Sequence, residues 1–256
     1  MENAIRHIHF DSIDSTNAEA RRLIADGKIS TPVLITADTQ TAGRGRMGRS
    51  FYSPDGTGLY MSFVFPAPDL VRISGLITPA AAVAAHQAIL HLTGITTQIK
   101  WVNDLYFEGK KICGILCESV QASGACYVIV GIGINLTTRG FPDGLRAPAG
   151  SLLSEDRTPP PDLTNTLALD ISRRLTEDIR SDFARATEHL AIYREHSFLD
   201  GKRVNCTVGE RTFDGTALGI GDDFSLSVLT DSGEAVNISS GEASVKLTER
   251  QGHRFC

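Results

Sequence analysis

Between residues 97 and 134 three strand-like runs follow one another with nothing between them long enough to be a helix. They are Thr97 to Val102, Ile112 to Val120 and Tyr127 to Ile134, separated by an Asp-Leu-Tyr-Phe-Glu-Gly-Lys hairpin region and an Ala-Ser-Gly turn. Adjacent strands, rather than strands alternating strictly with long helices, imply an α+β domain built on a mixed or antiparallel sheet with helices on one face.

The flanking segments fit that frame. Thr16 and Glu19 have capping-box spacing and open a short helix over Asn17 to Ala25, closed by Asp26-Gly27. Val33 to Thr36 and Leu59 to Phe65 are strand-like. A helix is expected over residues 73–92, with Pro79 either at its first position after a Thr78 cap or kinking a longer helix. Residues 137–161 are an extended loop, and Leu163, Leu167, Ile171, Leu175 and Ile179 then form one apolar helical stripe. Phe183, Ala186, Leu190 and Tyr193 continue the pattern into another helix. From Gly201 the period changes to short alternating strands: Val204 to Val208, Phe213 to Ile220, Phe224 to Val228 and Ala235 to Ile238. Their spacing implies a small β-barrel, and the division expected is 1–198 and 199–256, with the second unit docked on the first.

Charge and cysteine content narrow the function. The net charge is -5, from 25 Lys+Arg against 30 Asp+Glu, which gives no basic footprint for a nucleic acid. The N-terminus carries no apolar secretory run, and the alanine-rich stretch Leu76 to Leu92 suits a packed helix better than a membrane span. The five cysteines, Cys113, Cys117, Cys126, Cys206 and Cys256, are odd in number and dispersed, which suits free thiols in a reducing, cytoplasmic compartment.

Four clusters could carry chemistry. Residues 39–58 hold Gly43-Arg-Gly-Arg-Met-Gly-Arg49, where glycines let backbone amides approach an anion and arginines present forked donors. The spacing matches neither the Walker A loop nor the dinucleotide fingerprint, so a solvated loop is the alternative. Lys100-Trp-Val-Asn-Asp104 ends a strand, so Asn103 and Asp104 serve either a turn or a nucleotide and its magnesium. Lys111 precedes a buried strand, as a solvated start or as a charge aimed across the sheet. Gly131 and Gly133 lie on one strand face, bared for a chain-like ligand or for close-packed strands, with Asn135 just beyond.

At these clusters the chain resembles the biotin protein ligase family. The resemblance is carried by Asp14-Ser-Thr-Asn17, Gln40-Thr-Ala-Gly-Arg-Gly-Arg-Met-Gly-Arg49, Lys100-Trp-Val-Asn-Asp104, Lys111-Ile-Cys-Gly114 and Gly131-Ile-Gly-Ile-Asn135. The terminal stretch with Gly201, Gly215 and Ser240-Gly-Glu242 is similar to that family's small SH3-like domain. The resemblance implies a catalytic domain similar to class II aminoacyl-tRNA synthetases, with a C-terminal SH3-like β-barrel. It implies that ATP and Mg2+ serve to form biotinyl-5'-AMP, and that biotin passes to a lysine of a biotin carboxyl carrier protein such as that of acetyl-CoA carboxylase. Ser15, Thr16 and Gln40 would hold the ureido end, with Asn17, Gly114, Gly131 and Gly133 also on biotin. Gly43, Arg44 and Arg46 would cover the carboxylate and α-phosphate, with Arg49 near the phosphates and Phe51 against the adenylate. Asn103, Asp104 and Asn135 would face the nucleotide, Asp104 with the metal, and Lys111 would bridge carboxylate and phosphate. The catalytic set is then Arg44, Arg46, Lys111 and Asp104. Met47 and Val102 depart from the arginine and proline frequent there, and the form lacking an N-terminal DNA-binding domain is expected. A lipoate or octanoate ligase of the same superfamily is the main alternative. A non-catalytic binding module and a nucleic-acid binder are the others.

Overall fold

The structure, a computed structural model, describes residues 5–145, 147–154, 157 and 159–245. A seven-stranded sheet runs in the order β1-β2-β3-β7-β6-β5-β4. Its strands are β1 (Arg6–Ile13), β2 (Val33–Gln40), β3 (Gly58–Pro66), β4 (Gln98–Lys100), β5 (Asp104–Phe107), β6 (Lys110–Ala122) and β7 (Ala125–Asn135). Only β1 and β2 pair in parallel; every other neighbour is antiparallel, so the sheet is mixed. β1 escapes the sequence pattern because it is a largely exposed edge strand, with only Ile8 and Phe10 packing inward.

Helices cover both faces, not one. On β3 the residues Leu59, Met61, Phe63 and Phe65 join the large core with α2 (Leu70–Thr93) and α3 (Leu163–Arg180). Val64, of opposite parity, joins a smaller core with Ala20, Leu23 and Ile24 of α1 (Thr16–Ala25). Ser15 takes the N-cap position of α1, one residue earlier than expected and without a side-chain cap bond, and Glu19 pairs with Arg22 at 2.6 Å instead of closing a capping box. α2 is one helix with Pro79 inside it, and 67% of its apolar window is buried, as befits a core helix. α4 (Ala186–Glu195) leads into the segment where Ile99 donates to His196 O at 2.7 Å, extending the sheet past β4.

The C-terminal strands β8 (Arg203–Val208), β9 (Arg211–Ile220), β10 (Leu226–Thr230), β11 (Ala235–Ile238) and β12 (Glu242–Val245) form a five-stranded sheet ordered β11-β10-β9-β8-β12. This corrects the expected barrel: no sheet closes, because the end strands β11 and β12 do not pair among the described residues. Each is four residues long, too short to supply the staggered closing register that a barrel demands. The turn joining them is engaged elsewhere, at Gly241 and Glu242. This sheet shares the large core through Val204, Cys206 and Leu226, and Trp101 Nε1 donates to Phe224 O at 3.0 Å. Cys113 and Cys206 are buried free thiols, Cys117 and Cys126 are half-buried, and Cys256 lies outside the described residues.

His86 of α2 is buried, with Nδ1 on Thr97 Oγ1 at 2.8 Å and its ring 4.2 Å from that of His196. Burial, then the neighbouring His196, pulls its pKa down to about 4. The unfolded chain takes up this proton near pH 6.5 and the fold resists it. Stability is therefore full above about 6.5 and falls as pH drops through about 4, by about 3 kcal/mol at about 1.4 kcal/mol per pKa unit. Thermal midpoints of wild type and His86→Asn at pH 7.5 and 4.5 check this: the variant starts lower and shows a shallower loss.

Candidate functional site

Register places the chemistry-bearing residues in rows on the face of the sheet that α1 covers. Ser62 on β3 pairs with Gly131 on β7, which pairs with Leu116 on β6. Two residues along, Tyr60, Gly133, Gly114 and Asp104 form the next row across β3, β7, β6 and β5. Both glycines of β7 are filled by protein. A methyl at Gly131 would overlap the Asn17 amide, with Cγ at 2.9 Å, and one at Gly133 would meet the Phe51 ring at 2.5 Å. The bared strand face is therefore a seat for Asn17 and Phe51 before it is a channel for a ligand.

The glycine-arginine segment is a short hairpin. Arg44 bridges Ser50, Phe51 N–H donates to Gly43 O at 2.8 Å and Gly45 N–H to Arg49 O at 2.7 Å. Met47 sits at its tip with φ 57° and is 69% exposed. The C-terminal sheet holds this hairpin: Arg46 donates to Gly241 O at 3.2 Å, and Arg49 pairs with Glu242 at 2.5 Å, which raises the guanidinium pKa. Arg46 also donates to Asn103 Oδ1 at 3.2 Å, while Asn103 Nδ2 donates to Ile115 O at 2.7 Å. Arg44 makes no side-chain bond among the described residues.

Asp104 begins β5 instead of lying in the turn, which corrects the expected strand end. Its Oδ1 meets Lys111 Nζ at 2.7 Å. Tyr193 Oη donates to Val102 O at 3.3 Å just before Asn103, and the Trp101–Val102 peptide is cis. Lys111 N–H donates to Pro148 O at 2.8 Å, bringing residues 147–149 to the site's wall.

These groups surround one cavity of about 510 Å³, a size suited to a small organic ligand. Ser15, Thr16, Asn17, Gln40, Arg44, Arg46, Arg49, Phe51, Asn103, Asp104, Lys111, Gly114, Gly131, Gly133 and Asn135 all line it. Gly43 alone among the expected residues does not: it is buried, and a side chain there would strike Ser53 Oγ at 2.7 Å, so its smallness serves packing. Five cations, Arg44, Arg46, Arg49, Lys100 and Lys111, line the cavity against two carboxylates, Asp104 and Glu242. A chain of net charge -5 thus holds a locally cationic cleft.

The inner end is uncharged and polar. Gln40 Oε1 accepts from Thr16 N at 2.9 Å and Thr16 Oγ1 at 3.2 Å, and Ser62 Oγ lies 2.8 Å from Thr16 Oγ1 and 2.6 Å from Asn17 Oδ1. Asn135 Nδ2 donates to Gly150 O at 3.1 Å, while its buried Oδ1 has no partner among the described residues. Sequence reasoning missed Ser62, whose signal was one hydroxyl inside the apolar run of β3, and Glu118, a carboxylate inside the long strand β6. Among the described residues no thiol lines the cavity, and burial pushes the Cys117 pKa to about 11 and raises that of Cys113 further.

Residues 9–135 match the model of the biotin/lipoate A/B protein ligase family. The chain is 34% identical over 232 residues to the bifunctional ligase/repressor BirA of Bacillus subtilis, covering 88% of this chain and 70% of that protein. It is 31% identical over 234 residues to the biotin–[acetyl-CoA-carboxylase] ligase of Mycobacterium tuberculosis, covering 89% and 84%. Among solved structures, the biotin protein ligase from Aquifex aeolicus in complex with biotin and ATP superposes with a TM-score of 0.74 at 28% identity, covering 95% of this chain and 99% of the other.

Proposed function

Because this chain belongs to the biotin protein ligase family, we propose that it joins biotin to ATP as biotinyl-5'-adenylate and then passes biotin to a lysine of a biotin carboxyl carrier protein. The observation that carries this reading is the meeting of Arg44, Arg46 and Lys111 with the polar Thr16–Gln40 end in one cavity.

In the first step a biotin carboxylate oxygen attacks the α-phosphorus and pyrophosphate leaves. Two anions must approach, and Arg44, Arg46 and Lys111 offset their repulsion and the charge spreading over the phosphoryl oxygens. In the second step the acceptor amine attacks the carbonyl of the mixed anhydride and AMP leaves. The chain supplies orientation and exclusion of water, and no enzyme nucleophile takes part. Thr16 and Gln40 hold the ureido head, Phe51 packs beside the adenylate, and Asn103 and Asn135 face the nucleotide. Both carboxylates of the cavity are already paired with cations, at Lys111–Asp104 and Arg49–Glu242. That set fits a magnesium ion brought in on triphosphate oxygens, with Asp104 as the protein carboxylate, and does not fit a cage made by protein alone. Bound there, the ion would screen the triphosphate charge.

The second sheet, within the proposed division 199–256, clamps the arginine hairpin through Gly241 and Glu242. A cytoplasmic site of action suits its free thiols. ATP–pyrophosphate exchange tests the reading. Exchange should depend on biotin, and lipoate should not replace it. Exchange with lipoate and none with biotin would transfer the chain to the lipoate branch of the superfamily.

A further inference from the structure

The inner end of the cavity is wired to a half-buried ion pair that the reaction does not touch. Asn17 Nδ2 donates to Glu118 Oε2 at 2.8 Å, and Arg21 NH2 donates to Glu118 Oε1 at 2.7 Å. Arg21 is on α1 and Glu118 on β6, so the pair spans the helix and the sheet. Gly131 makes the arrangement possible, since the Asn17 amide occupies the space of its missing side chain.

Proton counting gives this contact a direction. An ionised carboxylate only accepts, so it requires the NH2 of Asn17 to face Glu118 and turns Oδ1 toward Ser62. Oδ1 cannot donate, so the single Ser62 proton goes to it over the 2.6 Å contact. Ser62 then has no proton for Thr16 Oγ1, 2.8 Å away. Thr16 must send its own proton to Gln40 Oε1 or Ser62, and its lone pairs stay open toward the cavity. A wall set this way receives a ligand N–H.

From this, the geometry points to the Glu118–Arg21 pair as a positioning unit that fixes the hydrogen-bond polarity of the cavity's inner wall, and so selects a head group that donates N–H, such as a cyclic urea. The inference rests on the biotin reading above and adds to it residues outside the cavity lining.

Replacing Glu118 with Gln lets the amide at position 118 donate to Asn17 while its oxygen faces Arg21. The Asn17 amide then turns over, and the Ser62 proton goes to Thr16, closing the acceptor. Glu118→Gln should raise KM for biotin about tenfold, the equivalent of one hydrogen bond near 1.4 kcal/mol, with kcat and KM for ATP changed less than about twofold. Asn17→Asp places two carboxylates together and should weaken biotin use further. The double variant Asn17→Asp/Glu118→Gln keeps the net charge, reverses the 17–118 contact, gives up the longer 3.4 Å bond from Asn17 to Leu116 O and leaves an acceptor facing Ser62. It should return KM for biotin to within about threefold of wild type.

Steady-state ATP–pyrophosphate exchange on the full chain reads all three variants, with circular dichroism confirming their fold. Unchanged biotin KM in Glu118→Gln, or a double variant no better than Asn17→Asp, overturns the inference. If Asn17→Asp does not fold, the KM-against-kcat split in Glu118→Gln decides alone. Absence of biotin-dependent exchange in wild type would instead defeat the functional reading itself, so the two failures are distinct.

Discussion

Replacing Lys111 with alanine is expected to slow adenylate formation by about 10²- to 10³-fold while leaving the fold intact. Its side chain is partly exposed in the cavity, and it packs no core that would collapse. The loss exceeds that of one cation because Asp104 lies 2.7 Å from its Nζ. Without the lysine, an uncompensated carboxylate faces the incoming triphosphate. Arg46→Ala should cost about 10²-fold, with a different cause. Arg46 is tied to Asn103 and Gly241, so its loss removes a charge and also unfastens the hairpin from the second sheet. Single-turnover adenylation measures each variant. A rate within twofold of wild type for Lys111→Ala would remove it from the chemistry.

Gly131→Ala should be the most damaging single-methyl change in the cavity, raising KM for biotin by about 10²-fold or more. The new Cβ would overlap Asn17, whose amide is held on both sides, by Ser62 at 2.6 Å and by Glu118 at 2.8 Å. With no free space to enter, Asn17 must break one of these bonds and drag Thr16 with it. Gly133→Ala presents the contrasting case. Its Cβ would meet the Phe51 ring at 2.5 Å, and that ring belongs to the arginine hairpin, whose ties to the second sheet are the Arg46–Gly241 and Arg49–Glu242 contacts. Its expected defect is smaller in biotin KM, with faster loss of bound adenylate because the hairpin no longer seats. Biotin titration and adenylate off-rates separate the two variants. Equal defects in both parameters would show that the glycines serve one common function.

Much of this site was legible before any fold was known. Arg44, Arg46, Asn103, Asp104 and Lys111 announce themselves as charges and amides at strand ends and in a glycine-rich turn, where polar groups need a reason. The large core was equally legible, because β3 and β7 read as nearly continuous apolar runs buried on both faces and α3 carries the fourfold spacing that burial on one face imposes. What escaped were features set by tertiary partners. β1 is an edge strand with little burial, so its alternation is faint. The expected barrel failed because local alternation specifies strands and says nothing about whether the outermost two meet. Gly43 resembles a ligand contact in sequence, and only the fold reveals that Phe51 O and Ser53 Oγ also leave no room for a side chain there. Glu118 and Ser62 look like incidental polar residues in strands, and only register reveals that Asn17 joins them.

The most direct test is native mass analysis of the intact chain after incubation with biotin, ATP and magnesium, followed by addition of a biotin-carrier domain. The account predicts a gain of one biotinyl-5'-adenylate per chain, then its disappearance as the carrier gains one biotin on a lysine. Retention of ATP and biotin side by side, with no pyrophosphate released and no adenylate mass, would contradict it.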